Sequence, residues 1–390
     1  MRGDGGPIFR LALGHLGIDI YMTVIPAVIP VLVSEGGVSF LLAGLLLTAY
    51  NTTSSLVQPV FGWLADARGR SIPLAVAMLV GGAAIGLFGI VDSFPALLLL
   101  AALAGMMHAS FHPIALSAVS RSAGEGNRGR TISYFVVGGN LGFALGPLLA
   151  GFILGRFGLA GLPLLAVPAV LIAPLLRGDQ VRLGRSPDVH DAGGTNRTGA
   201  FVILSVASMI RAWALFAVLG FLPTFLVQRG IDLVSANLIT TAMLLAGVAG
   251  QLFGASLSDR YGRKEFILLG LALAVPAYTG FLLTDGPLSL GLLGLFGFAL
   301  WSTFAITVAL SHELMPRAVG LASGMMLGVV VGAGGIGVAI TGLIADTWSL
   351  PFALTTVLPL LAVATLLYAV LPYPWKSGAR LLSRLRTRAL

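Results

Sequence analysis

Long apolar runs constrain this chain more than any other feature of its sequence. A helix needs about 20 apolar residues to cross the hydrocarbon core of a bilayer. Twelve such runs lie between charged, proline or glycine breaks, at 8–34, 38–64, 72–92, 95–121, 130–156, 160–176, 199–228, 233–257, 265–284, 288–313, 318–345 and 350–371. Only 10% of the residues are charged, against about 25% in soluble proteins. The sequence therefore predicts an all-α membrane protein with twelve transmembrane helices and excludes a soluble fold.

Basic residues predict the orientation of these helices. With a cytoplasmic N-terminus, 20 of the 23 Lys and Arg residues fall in cytoplasmic segments. The connections on the other side carry acidic residues instead: Glu35, Asp92, Asp232, Asp285 and Asp346. The positive-inside rule therefore predicts a multi-pass protein of the plasma membrane, the inner membrane of a bacterial cell, with both termini cytoplasmic. It also accounts for the net charge of +8 without a nucleic-acid partner; the partners that we expect are the lipid bilayer, protons and a small molecule.

The chain divides into two related halves. The polar, turn-rich stretch 177–198 predicts a cytoplasmic linker between bundles at 1–176 and 199–375, and a basic tail occupies 376–390. A shift of 193 positions places Leu64, Asp66, Gly69 and Arg70 over Leu257, Asp259, Gly262 and Arg263. Two pseudo-symmetric six-helix bundles around a central site are a transporter architecture.

The repeated motifs resemble the signature of the major facilitator superfamily, G-x-L-a-D-x-x-G-R-[RK] after helices 2 and 8. The first copy has Ser71 in place of the final base, and the second has Ala255 in place of the leading glycine. An acid at a helix end followed by a turn and a base can pair with neighbouring helix ends and hold a cytoplasmic gate shut. We assign this role to Asp66, Arg70, Asp259 and Arg263, with Glu313 of Ser311–Arg317 as a gate partner. Alternatively, the basic residues of the motifs only anchor the loops on the cytoplasmic side. For Glu313, the alternative is that its carboxylate carries a proton.

Spans 4 and 5 contain HASFHP at His108–Pro113 and GGNLGFALGPLL at Gly138–Leu149. These two segments resemble the fosmidomycin-resistance family within that superfamily. The resemblance implies the major facilitator fold, proton-driven efflux of drugs and a role of the glycine run in antiport. The glycines alternatively serve close helix packing. Asn140 lines the cavity or makes an interhelical hydrogen bond.

Few ionisable side chains lie inside the predicted spans, where each is costly. They are His15, Asp19, His108, His112 and Arg211, with His312 and Glu313 at the end of span 10. His15 and Asp19 share one helical face, as do His108 and His112, because each pair is spaced i,i+4. We assign proton exchange to Asp19 and the three histidines. We assign binding of an anionic substrate to Arg211, with Asn140, Trp301 and Phe111 in the same site.

Alternatives to these assignments remain open. In one alternative, Asp19 and Arg211 form a permanent pair that joins the two halves, and the histidines are packing groups. In another, Trp301 and Phe111 pack inside the protein or face lipid. The function predicted is proton-coupled export of small drug-like or anionic compounds; the alternative is an uptake symporter or facilitator for an organic anion. No cofactor and no metal is predicted, since no third ligand is evident beside the paired histidines. The sequence contains no Cys and no H-E-x-x-H motif, which argues against an enzyme. We expect the protein to be a monomer.

Overall fold

The computed structural model of the protein describes residues 5–68, 71–122, 128–176 and 195–375. Within these ranges the chain is helical and contains no strand. In the described part of the chain, eleven helices are long and apolar enough to span a membrane, and a shorter apolar helix completes the series. We label them α1 (Gly6–Ser34), α2 (Phe40–Ala65), α3 (Leu74–Gly89), α4 (Phe94–Ser120), α5 (Thr131–Phe157), α6 (Leu159–Leu176), α7 (Thr198–Gln228), α8 (Leu233–Tyr261), α9 (Arg263–Leu283), α10 (Gly286–Leu314), α11 (Val319–Thr347) and α12 (Leu350–Val370). The predicted all-α fold class is confirmed.

Local irregularities interrupt several helices. The α6 segment consists of 3-10 turns at Leu159–Leu165 and Ala173–Leu176 around one short α-helix, Ala166–Ile172. Its three prolines explain this, because each removes a backbone donor and obstructs the preceding turn. A 3-10 turn at Tyr21–Thr23 divides α1, and a π-helical turn at Met325–Val329 divides α11. Such turns are frequent at functional positions of long helices, and the one in α1 begins two residues after Asp19.

The helices form two compact units. The first consists of Met1–Asp188, Phe216–Thr241 and Gly335–Leu354, and the second of Val189–Leu215, Ala242–Gly334 and Thr355–Leu390. The division at 177–198 that the sequence suggests stays a prediction, since the residues 177–194 lie outside the described ranges, as does the basic tail.

Within the first unit, α2 is held at its N-terminus by the end of α11. The carboxylate of Asp346 accepts hydrogen bonds from the backbone amides of Phe40 and Leu41, each at 2.8 Å. Further along, Thr48 Oγ1 donates to the carbonyl of Gly335 at 2.7 Å. The first amides of a helix have no partner of their own, and a carboxylate also complements the positive end of the helix dipole. Asp346 therefore caps this helix end from a distant part of the chain, in addition to the N-cap residue Ser39, whose Oγ accepts a hydrogen bond from the Leu42 amide.

Replacing Asp346 with alanine should lower the apparent melting temperature of the detergent-solubilised protein. Loss of an N-cap costs about 1 kcal/mol, so a shift of a few degrees is expected in a thermal melt followed by circular dichroism. Asp92→Ala, which removes an acid in the connection before α4, serves as the control and should leave the melt unchanged. Equal falls in the melting temperature of both variants would show that the hydrogen bonds of Asp346 add no stability beyond the effect of a negative charge.

Candidate functional site

Four ionisable side chains predicted to work together meet inside the first unit. Helix α1 contributes His15 and Asp19, and α4 contributes His108 and His112. Nε2 of His15 lies 3.3 Å from Asp19 Oδ2, and Nε2 of His112 lies 3.3 Å from Asp19 Oδ1. Nδ1 of His108 lies 3.9 Å from the same carboxylate. The two i,i+4 pairs therefore face each other, and the cluster of His15, Asp19, His108 and His112 is called the His–Asp cluster below.

Backbone carbonyl groups fix the orientation of two of these imidazole rings. Nδ1 of His15 lies 2.7 Å from the carbonyl oxygen of Phe135 on α5, and the ring stacks on the Phe135 ring with centroids 4.0 Å apart. Nδ1 of His112 lies 2.9 Å from the carbonyl of His108. The two Nε2 atoms consequently face each other at 3.1 Å. Sequence reasoning missed the contribution of Phe135, because a backbone carbonyl leaves no signature in the residue types.

Tyr50 of α2 completes the surroundings of the His–Asp cluster. Its hydroxyl and Nδ1 of His108 form a hydrogen bond of 3.1 Å, and its side chain is buried. The carboxylate of Asp19 keeps 13% of its side-chain surface exposed, and His112 keeps 20%. The site is therefore largely shielded from water but not closed, so a proton can reach it. Charges in such surroundings interact strongly because little water screens them.

The glycine run on α5 lets α5 pack closely against α1 beside the His–Asp cluster. A Cβ on Gly138 would lie 2.4 Å from the carbonyl oxygen of Ala12, and one on Gly142 would lie 2.0 Å from that of Leu16. A Cβ on Gly139 would lie 2.3 Å from the His15 ring and 2.7 Å from Asp19 Oδ2. The structure thus supports the packing interpretation of the run, and Gly139 in addition makes the space that His15 and Asp19 occupy.

The spacing of the cluster also bears on the question of a metal ion. One ligand-type atom from each of His15, Asp19 and His112 lies within 4.8 Å of the others. Only one of the two α4 histidines, His112, belongs to this group, and α1 contributes its other two members. The prediction that no metal binds is not tested by this spacing and stays a prediction.

Arg211 is a buried cation of the second unit. The side chain is 1% exposed and its guanidinium lies 5.8 Å from the centroid of the Phe304 ring. Tyr368, which is hydrogen-bonded to Ser208 at 2.8 Å, is its polar neighbour. Among the described residues of this unit no carboxylate forms an ion pair with Arg211, and its Nε and Nη1 atoms have no hydrogen-bond partner. A buried cation without a counter-ion is costly, so an anion would be favoured there.

The other predicted substrate-binding residues differ in their surroundings. Nδ2 of Asn140 is buried and has no hydrogen-bond partner in the described part of the chain, so the interhelical hydrogen bond considered above is not supported for this atom. Phe111 is fully buried and packs edge-on against His112, with centroids 6.0 Å apart, which favours a packing role. Trp301 is partly exposed and covers Gly247, where an added Cβ would lie 3.0 Å from the indole.

The predicted gate residues of the second unit form one network. Arg263 pairs with Asp259 at 3.0 Å and also contacts Glu313, which accepts a hydrogen bond from Tyr373. These four residues line a cavity of about 340 Å³. Burial and the Glu313 hydrogen bond raise the pKa of Tyr373 to about 12, so its hydroxyl keeps its proton at neutral pH. In the first motif, Arg70 and the side chain of Asp66 lie outside the described residues.

Comparison with known proteins identifies the family. The family model of the Major Facilitator Superfamily matches residues 11–236 and 204–388. The chain belongs to the major facilitator superfamily. Its members are membrane transporters rather than enzymes, and the superfamily resemblance inferred from the motifs is confirmed.

Two relatives within the superfamily match almost the whole chain. The fosmidomycin resistance protein of Escherichia coli (strain K12) is 31% identical over 379 residues, 94% of this chain and 93% of that protein. The MFS-type transporter YfnC of Bacillus subtilis (strain 168) is 30% identical over 376 residues, 92% of this chain and 91% of its own. The resemblance to the fosmidomycin-resistance family is thereby confirmed.

A solved major facilitator structure shares the fold. The inward-facing, occupied crystal structure of a bacterial homologue of the human lysosomal transporter Spinster superposes with a TM-score of 0.80. It covers 93% of this chain and 95% of its own, at 18% sequence identity. Similarity at that identity establishes the fold alone.

Proposed function

We propose that this major facilitator protein is a proton-coupled exporter of small organic anions and drug-like compounds, working by alternating access in the plasma membrane with both termini in the cytoplasm. The His–Asp cluster is the observation that carries the proposal. It places one carboxylate and three imidazole rings in contact between α1 and α4, partly shielded from water. Groups of this kind exchange protons near neutral pH, and intramembrane ionisable residues mark proton and substrate pathways.

The substrate part of the proposal is supported by Arg211 and Asn140. Among the described residues, the guanidinium has no carboxylate partner in its own unit, and the buried Nδ2 of Asn140 has no hydrogen-bond partner. A guanidinium offers two parallel donors to a carboxylate, phosphate or phosphonate group. Both groups therefore suit a small molecule with an anionic end.

Export rather than uptake is supported by the relatives. One of them is named for fosmidomycin resistance, and resistance to a compound is consistent with its removal from the cell. The charge inventory supports the alternative equally well, because an anion and a proton bound together are typical of symport.

The network around Arg263 is proposed as part of a cytoplasmic gate. It joins the end of α8, the start of α9 and the end of α10 through one guanidinium that contacts two carboxylates. A network of this kind is stable in one arrangement of helix ends and must break for another, which is how packed elements switch between discrete states.

Reconstituted vesicles distinguish the two directions of coupling whatever the orientation of the inserted protein. An antiporter accumulates substrate in the lumen when the lumen is the more acidic side, whereas a symporter does so when the lumen is the more alkaline side. We expect labelled fosmidomycin, or another small phosphonate, to accumulate with an acidic lumen and not when the gradient is dissipated by an ionophore. Accumulation with an alkaline lumen would establish the symport alternative, and flux insensitive to both gradients would refute proton coupling.

Replacing Arg211 with alanine should weaken transport of anionic substrates more than that of neutral ones. Loss of a charge-assisted hydrogen bond costs about 1.5–3 kcal/mol, which corresponds to roughly 10- to 100-fold in apparent affinity. The comparison is of KM for a phosphonate and for a neutral analogue in the same vesicles. Arg229→Ala is the matched control, because Arg229 directly follows the last residue of α7 and is not among the residues proposed to bind substrate. Equal losses for both substrates would indicate that Arg211 has a structural role.

A further inference from the structure

We infer that the coupled proton is bound between Nε2 of His15, Nε2 of His112 and the carboxylate of Asp19, and that it joins α1 to α4. The inference rests on the proposed function for its role in transport, whereas the proton site itself is argued from hydrogen-bond chemistry. In it Asp19 is the counter-ion, and the proton is held by two imidazole rings together rather than by the carboxylate alone.

The tautomers of the two rings follow from their backbone partners. A carbonyl oxygen can only accept a hydrogen bond. Nδ1 of His15, 2.7 Å from the carbonyl of Phe135, must therefore donate, as must Nδ1 of His112, 2.9 Å from the carbonyl of His108. A neutral imidazole carries a hydrogen on only one nitrogen. In their neutral forms, both rings therefore present a bare lone pair at Nε2.

These lone pairs point at one another and at an anion. The two Nε2 atoms are 3.1 Å apart, and each lies 3.3 Å from one oxygen of Asp19. Without a further proton, three acceptors would converge with no donor among them, and the carboxylate charge would stay uncompensated in a largely dry site. One added proton turns one ring into a donor toward the other ring and toward Asp19. The resulting imidazolium and carboxylate cancel in charge, so the cluster is neutral.

The described groups around His15 and His112 do not replace the charge of this proton. Helix α4 adds His108, whose Nδ1 is engaged by the Tyr50 hydroxyl of α2 at 3.1 Å. Tyr21 of α1 donates away from the cluster, to the carbonyl of Leu165. From α5 the described contacts are the Phe135 carbonyl and the space left by Gly139, neither of which is ionisable.

Release of the proton therefore has a mechanical consequence. The N–H bond at Nε2 breaks, the proton passes to water as hydronium, and the electron pair stays on the nitrogen. The cluster then carries one negative charge and three converging acceptors that repel one another. The contact between His15 and His112 should open, which couples protonation to the separation of α1 from α4.

Nuclear magnetic resonance of the imidazole nitrogens tests this site directly. The chain has 5 histidines, so protein labelled with ¹⁵N-histidine has few signals, and single His→Gln variants assign them. We expect Nδ1 of His15 and His112 to stay protonated across the pH range. We expect their Nε2 signals to move together in one transition that releases one proton. Asp19→Asn should move that transition to lower pH by more than one unit, since the counter-ion is lost.

His112→Gln provides the second measurement, since a glutamine can occupy the Nε2 position but cannot take up a proton. It should abolish the joint transition and leave His15 titrating alone, while His312→Gln should leave the transition intact. A thermal melt verifies that both variants are folded. Independent titration of His15 and His112 in the unaltered protein, or a proton on Nε2 with a bare Nδ1 in either neutral ring, would overturn the inference. So would a stoichiometric metal ion in the purified protein that shifts both Nε2 signals and is removed by a chelator.

The same experiments separate this inference from the proposed function. A joint transition in a protein that transports without regard to the pH gradient would leave the proton site in place and refute its use in coupling. Gradient-driven transport with independently titrating rings would do the reverse.

Discussion

Replacing Asp19 with asparagine will abolish accumulation of substrate driven by a pH gradient, while leaving the protein folded. The amide keeps the size of the carboxyl group but removes the counter-ion that lies 3.3 Å from Nε2 of both His15 and His112. Breaking a buried ion pair costs about 3–5 kcal/mol, which lowers the proton affinity of the cluster by roughly a hundredfold or more. The measurement is the accumulation of labelled fosmidomycin in vesicles with an acidic lumen.

Substrate exchange at equal pH on both sides is the informative control for the Asp19 variant. A protein that has lost its proton step but retains its fold should still exchange labelled for unlabelled substrate across the membrane. Asp92→Asn, which neutralises an acid outside the helical spans, should behave as the unaltered protein in both assays. Gradient-driven accumulation at the normal level in the Asp19 variant would rule out a role of this carboxylate in coupling.

Replacing Gly142 with valine will strongly destabilise the protein. A Cβ at this position would lie 2.0 Å from the backbone carbonyl oxygen of Leu16, and a backbone atom cannot move aside as a flexible side chain can. Inserting even small groups into a well-packed contact costs about 1–3 kcal/mol, occasionally more, and a valine also has a restricted χ1 in a helix. We expect a large fall in the apparent melting temperature and in the yield of monodisperse protein. Gly142→Ala should show a smaller fall of the same sign.

Gly294→Val is the matched control, because the same substitution on α10 meets no atom within 4 Å of the added Cβ. It introduces the same side chain into a helix of the same kind, so it accounts for the effect of valine on helix propensity and membrane insertion. Equal melting temperatures for the Gly142 and Gly294 variants would show that α1 and α5 are not held in close contact by the glycine run.

Much of the scaffold was accessible from local patterns. Twelve apolar runs predicted twelve helices, and the described helices begin and end close to those limits, with α3 shorter than its run of 72–92. Three prolines marked 160–176 as the least regular segment, and α6 is indeed mostly 3-10 helix there. These features depend on hydrophobicity and on backbone donors, which residue types determine directly.

Part of the candidate site was also accessible. The i,i+4 spacing predicted that His15 and Asp19, and likewise His108 and His112, share helical faces, because a helix places such residues one turn apart. It did not predict that the two faces meet. Contact between α1 and α4 depends on how closely α1 packs against α5. The glycine run of α5 permits this packing, but from the sequence alone packing was only one of two open interpretations of the run. Phe111 was assigned to the substrate site, and its complete burial behind His112 supports packing instead.

By itself, therefore, the sequence determined the membrane environment, the number of helices, the pairing of ionisable residues along each helix and the family. Only the tertiary structure decided that the two pairs form one cluster, that the Phe135 and His108 carbonyls orient its rings, and that Arg211 is buried. The physical reason lies in the range of the interactions. Transfer to lipid and helical periodicity act on each segment separately, whereas the protonation state of a cluster depends on distances of about 3 Å between groups on different helices, which packing alone sets.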